Sequence, residues 1–132
     1  MAPLKTGIDL IEIDRLADLS PRIRQRFLQR VFTPTELAQA GSSDARLMGR
    51  FAAKEAVAKA LGCGIGPVSW QEIEIIEGEA GQPMLRLNGR AQQMANHLGL
   101  TQWSISISHS RQHAVAVAVA LGPDGWTLEN PP

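Results

Sequence analysis

The segment from Ala45 to Leu61 carries the longest helical pattern in the chain, and most of it is alanine and aliphatic residues. Alanine is the strongest helix former. A helix of small apolar side chains reads as one built to be buried, drawing its stability from packing rather than from propensity alone. Yet the stretch FAAKEAVAKALGCGIG, residues 51–66, also holds Lys54, Glu55 and Lys59. Charges on a helix made for burial need a reason, because an unpaired buried charge is costly.

At about 100° per residue, Leu47, Phe51 and Ala58 gather on one side of this helix, and Glu55 lies about 40° from Phe51. Glu55 therefore points inward or at the rim of the core, with Lys59 one turn on. The two read either as an i,i+4 ion pair on a solvated edge or as members of a site. Gly62 ends the helix and opens a loop with Gly64 and Gly66. Glycines there let backbone N–H groups approach a phosphate closely, although the pattern is no Walker motif.

Strands and helices alternate around this element. Residues 5–13, KTGIDLIEI, read as a strand whose one face carries Asp9, Ile11 and Ile13. Asp9 interrupts an apolar face, either at an exposed edge or because it is paired or holds a metal. Ser20-Pro21 starts a helix to about Val31, and Thr33 with Glu36 forms a capping box for the next, which Gly41 stops. Residues 70–77 and 84–87 read as strands joined through Gly78 to Gly81. Asn88 caps a helix to Leu98 that Gly99 terminates. Residues 102–109 and 113–121 alternate strictly and are joined by Ser110-Arg111-Gln112, which makes a hairpin. In the first of the two, Trp103, Ile105, Ile107 and His109 share one face and Ser104, Ser106 and Ser108 the other. His109 and His113 flank the hairpin tip, as hydrogen-bonded edge residues or as chemistry. The sum is an α+β fold, mainly antiparallel sheet with helices packed on one face.

Size and charge narrow the function. With 132 residues, one domain is expected, spanning 1–121, with an irregular tail over 122–132. A single cysteine, Cys63, suits the cytoplasm, and neither a signal peptide nor a membrane-length apolar run is present. The 13 basic and 13 acidic residues balance, but residues 15–30 hold Arg15, Arg22, Arg24, Arg26 and Arg30 against Asp18 alone. Such a patch steers an acidic partner or is merely a solvated face. The neutral total and the lack of a nucleic-acid motif weigh against DNA or RNA. Three scattered histidines and one cysteine give no zinc site. Two carboxylates with open positions suit Mg²⁺, which keeps waters and borrows phosphate oxygens. A nucleotide-pyrophosphate hydrolase and a non-catalytic module for an acidic protein are the competing readings.

The motifs GIDLIEIDR at 7–15, GRFAAKEAVAKALGCGIG at 49–66 and SISHS at 106–110 occur in that order. Together they resemble the holo-acyl carrier protein synthases, the small bacterial 4′-phosphopantetheinyl transferases, over nearly the whole chain. The resemblance implies that fold and the transfer of 4′-phosphopantetheine from coenzyme A to a serine of apo-acyl carrier protein, for fatty acid biosynthesis. Adenosine 3′,5′-bisphosphate is the other product. It further implies that Asp9 and Glu55 bind Mg²⁺, that Lys59 sits by the diphosphate, and that Arg50 and His109 lie near the nucleotide. Arg15, Arg22 and Arg26 would dock the carrier. The assembly would be a homotrimer with sites between subunits, so Asp9 and Glu55 need not meet His109 of the same chain. The acceptor for the serine proton stays open between water at the metal and His109. Cys63 stands where threonine or another small polar residue is expected.

Overall fold

The computed structural model describes residues 3–123. In chain order its elements are β1 (Leu4–Glu12), α1 (Asp14–Ala17), α2 (Pro21–Val31), α3 (Pro34–Ala40) and α4 (Asp44–Ala60). A 3₁₀ turn (Trp70–Glu72) follows, then β2 (Ile73–Glu77), β3 (Pro83–Leu87), α5 (Gly89–Leu98), β4 (Gln102–His109) and β5 (His113–Leu121). The strands are antiparallel but divide into two sheets, β1-β5-β4 and β2-β3. From residue 124 onward the expected irregular tail lies outside the described residues.

Helix α4 is the centre of the molecule. Ala52, Ala53, Ala56, Ala58 and Ala60 are buried, and so are Ala114, Ala116, Ala118 and Ala120 of β5. Small residues on both surfaces bring helix and sheet close together. Gly7 in β1 marks the limit, because a Cβ there would overlap the Ala56 carbonyl oxygen. Its place in the motif GIDLIEIDR is thus set by packing, and it draws the strand carrying Asp9 onto the helix.

Burial corrects the expected amphipathic helix. Leu47 and Ala58 do not mark a single buried side, since Met48, Gly49, Arg50, Lys54 and Val57 are buried as well. Beyond the first turn the half-exposed or exposed positions are Phe51, Glu55 and Lys59, one stripe at i,i+4 spacing. The remaining charge of the opening stretch, Lys54, lies in the interior at 0% side-chain exposure beside an equally buried Glu36 2.8 Å away. Lys54 Nζ also donates to the carbonyls of Trp70 (3.0 Å) and Ile73 (2.6 Å). Glu36 accepts from Thr33 N and Ile75 N, both at 2.8 Å. Burial holds the Lys54 ammonium below its ordinary pKa against the pull of Glu36. This one pair joins α3, α4, the 3₁₀ turn and β2.

Local signals held at several termini. Ser20 accepts from Ile23 N, with Pro21 in the first turn of α2, and Thr33 and Glu36 make the reciprocal capping box. Three expectations need correction. Residues 70–72 form a 3₁₀ turn instead of the start of a strand, and Ser69 and Glu72 cap it reciprocally. Asn88 makes no side-chain cap on α5; the Glu72 carboxylate reaches across to accept from Arg90 N instead. Ile13 falls just past β1 as the N-terminal flank of α1, a short helix absent from the sequence reading.

Candidate functional site

Alternation along β1 puts Gly7, Asp9 and Ile11 on the face turned to α4. With Gly7 seated on Ala56, Asp9 comes beside the open stripe of the helix. The Lys59 ammonium lies 3.2 Å from Asp9 Oδ1 and 2.8 Å from the Ile8 carbonyl oxygen. The other carboxylate oxygen, Asp9 Oδ2, is buried and has no hydrogen-bond partner. A buried, unpartnered carboxylate oxygen is a costly arrangement unless something else satisfies it. Burial, and then the Asp9 charge, push the Glu55 carboxyl above its ordinary value, while Lys59 pulls it down. The structure therefore brings Asp9, Glu55 and Lys59 together, as expected.

These groups fit a hard divalent cation. Both acids supply oxygen donors, one atom is buried without a partner, and the like charges repel in the absence of a cation. Among the described residues no three His, Cys, Asp or Glu side chains converge, so the remaining coordination positions would fall to water or substrate oxygen.

The raised Glu55 value gives a prediction. A carboxyl whose pKa rises on folding supports the folded state fully below its unfolded value, about 4.5, and that support is lost as pH rises through the folded value. In metal-free protein, Asp9→Asn should move the Glu55 titration down and Lys59→Met should move it up. ¹³C NMR of labelled glutamate side chains reads both shifts. No movement in Asp9→Asn would separate the two carboxylates.

A second cluster lies elsewhere. Arg46, Gly49, Arg50, Glu77, Pro83, Ile107 and His109 line a cavity of about 180 Å³. Arg50 is buried; its Nε donates to the Ile75 carbonyl (3.1 Å) and its Nη2 to Gln39 Oε1 (3.3 Å), with Glu77 at 3.5 Å. Its position is thus fixed by the protein. His109 is exposed at the end of β4, its Nδ1 3.4 Å from the Ser110 carbonyl oxygen. Arg46 escaped the sequence reading, although its place one turn before Arg50 was a usable signal. Arg46 and Glu55 are nine residues apart, ~180° around a helix of 3.6 residues per turn. A single chain therefore shows its carboxylates and its arginines on opposite sides of α4.

The glycine loop is only partly constrained. Gly62 (φ 78°) and Gly66 (φ 138°) occupy left-handed backbone, which favours glycine. Gly64 does not, and a Cβ there meets open space. Burial pushes the Cys63 thiol up, so it stays protonated at neutral pH and acts as a small packing residue. On α2, Arg22 and Arg26 are exposed, as is Arg15 on α1. Arg24 is engaged, 2.6 Å from Asp44.

The chain belongs to the 4′-phosphopantetheinyl transferase superfamily, whose family model matches residues 5–118. It is 48% identical over 126 residues to a holo-[acyl-carrier-protein] synthase of Herpetosiphon aurantiacus, covering 90% of this chain and 99% of the relative. It is 50% identical over 129 residues to that of Moorella thermoacetica, covering 96% and 98%. Among solved structures, the Helicobacter pylori synthase in complex with coenzyme A is similar with a TM-score of 0.79 at 32% identity, covering 87% of this chain and 98% of that one. The Bacillus anthracis synthase in complex with CoA (3',5'-ADP) has a TM-score of 0.72 at 33% identity, covering 89% and 96%.

Proposed function

We propose that the protein transfers 4′-phosphopantetheine from coenzyme A to a serine of apo-acyl carrier protein, for fatty acid biosynthesis in the cytoplasm. Holo-acyl carrier protein and adenosine 3′,5′-bisphosphate are the products. The observation that carries this reading is the Asp9–Glu55–Lys59 cluster with its unpartnered Asp9 Oδ2, in a chain whose solved relatives are described with coenzyme A.

Asp9 and Glu55 would hold Mg²⁺, which when bound supplies charge neutralisation at a diphosphate. The chain's own groups do the rest. Lys59 donates to the diphosphate and neutralises the departing phosphate. Gly62 and Gly66 turn the loop so that backbone can approach it. Arg46, Arg50 and His109 surround the nucleotide end of the donor, where the two arginines meet phosphate charge. His109 supplies the imidazole of this set, able to hydrogen-bond a donor oxygen.

One donor molecule has to reach both clusters although α4 separates them, so a neighbouring copy supplies the second. The outer sheet face supports such self-association. There Ile8 and Leu10 are 60% and 63% exposed and stand in register with Val117 and Val115 of β5. An apolar patch of this kind marks a protein interface. A homotrimer with sites between its subunits is the assembly proposed.

Arg15, Arg22 and Arg26 dock the acidic carrier. Reversing the charge of Arg22 and Arg26 together is expected to raise the KM for carrier protein at least about tenfold, while that for coenzyme A stays within about twofold. Steady-state kinetics with each substrate varied reads both, and equal changes would refute docking there. Mass spectrometry of apo-carrier protein after incubation with coenzyme A and Mg²⁺ tests the reaction itself. A gain of one phosphopantetheine is expected. Release of bisphosphate from coenzyme A with the carrier unmodified would mean a hydrolase.

A further inference from the structure

Lys59 is half-exposed, with 53% of its side chain accessible, whereas Asp9 is only 16% exposed. The ammonium sits on one oxygen of the aspartate and on the Ile8 carbonyl, both fixed by β1. The second aspartate oxygen is buried and unpartnered. The cluster thus holds one positive charge on a long, half-exposed stem beside the carboxylates of Asp9 and Glu55. A lysine ammonium is a compact point charge that can be moved at small cost when exposed.

We propose that Lys59 is the resident counterion of the metal-free site: its ammonium occupies Asp9 until a divalent cation arrives, and it then leaves Asp9 to pair with the donor's diphosphate. This rests on Asp9 and Glu55 being the metal ligands. A divalent ion close to an ammonium is repelled by it unless an anion lies between them. The cation alone therefore binds weakly, because Lys59 opposes it. The diphosphate supplies the missing negative charge to both cations at once. Metal and diphosphate bind with positive coupling to which Lys59 adds its share, and by linkage each raises the affinity of the other by the same factor. The chain thereby avoids holding a metal tightly before its donor substrate is present, and Lys59 is a positioning group for the cation as well as a contact for the phosphate.

The test is Mn²⁺ binding to the full-length protein without coenzyme A, read as Mn²⁺ retained by the protein in equilibrium dialysis, with and without inorganic pyrophosphate and with the Mn²⁺–pyrophosphate complex formed in solution counted at each step. Lys59→Met is expected to bind Mn²⁺ about tenfold more tightly than the parent in the absence of pyrophosphate, the scale of one screened unit charge nearby. Pyrophosphate is expected to tighten Mn²⁺ binding in both proteins, because the ion meets the diphosphate directly, but by a factor about tenfold larger in the parent than in the variant. Lys59→Gln should behave like Lys59→Met, which separates charge from shape. Equal or weaker Mn²⁺ binding by both lysine variants, with Asp9→Asn still abolishing it in the parent, overturns the counterion role and leaves the metal site standing. Mn²⁺ binding indifferent to Asp9→Asn overturns both.

Discussion

Glu55→Gln is expected to lower the transfer rate at least about a thousandfold, the loss anticipated when a metal ligand that stabilises several kcal/mol of transition-state charge is removed. Glutamine keeps the shape and the length of the side chain, so substrate-sized space is unchanged. Stability should hold, because Glu55 lies on the open stripe of α4 and its charge is disfavoured by burial and by Asp9. Neutralising it removes a repulsion in the metal-free protein. A thermal melt unchanged within a few degrees, together with the lost activity, is the expected pair of results. Near-normal turnover would remove Glu55 from the chemistry.

The largest effect on stability should come from Glu36→Ala. It leaves the Lys54 ammonium in the interior without its anion and deprives Thr33 N and Ile75 N of their acceptor. Breaking one side of a buried pair costs about 3–5 kcal/mol, so chemical denaturation should show that loss and the melting temperature should fall by at least ~10 °C. Replacing both partners, with Lys54→Met and Glu36→Leu, should recover much of the loss, since matched apolar groups often substitute for a buried ion pair. A loss below about 1 kcal/mol in Glu36→Ala would mean that water reaches Lys54 and takes the carboxylate's place.

The two charged positions 54 and 55 show what could be read beforehand. Side-chain period alone placed Asp9 with Ile11 on one face of β1, and Ile105 with Ile107 opposite the serines of β4; burial follows that pattern. The motif order 7–15, 49–66, 106–110 carried the family, and residues 5–118 match it. The capping box of Thr33 and Glu36 was legible because it is local. The second role of Glu36 was not, because its partners Lys54 and Ile75 come from elements distant in sequence. An alanine-rich helix buried almost all round presents no single apolar face, so its orientation could not be taken from a helical wheel. The 3₁₀ turn at 70–72 was hidden for another reason. WQEIEIIE alternates well enough for a strand, and the turn is set by Ser69 N donating to Glu72 Oε1 (2.7 Å) and by Glu72 reaching α5.

The proposed function has Asp9 and Glu55, on separate elements, share one divalent ion that meets the donor's diphosphate. A crystal structure of the protein with coenzyme A and Mn²⁺, with the ion located by its anomalous scattering, asks this directly. The expected result is a single peak within about 2.2 Å of an oxygen from each carboxylate, the bond length of a small hard cation, with Lys59 on the diphosphate and the nucleotide against Arg50 and His109 of a neighbouring copy. A peak touching one carboxylate alone, or coenzyme A held with no ion between Asp9 and Glu55, would contradict it.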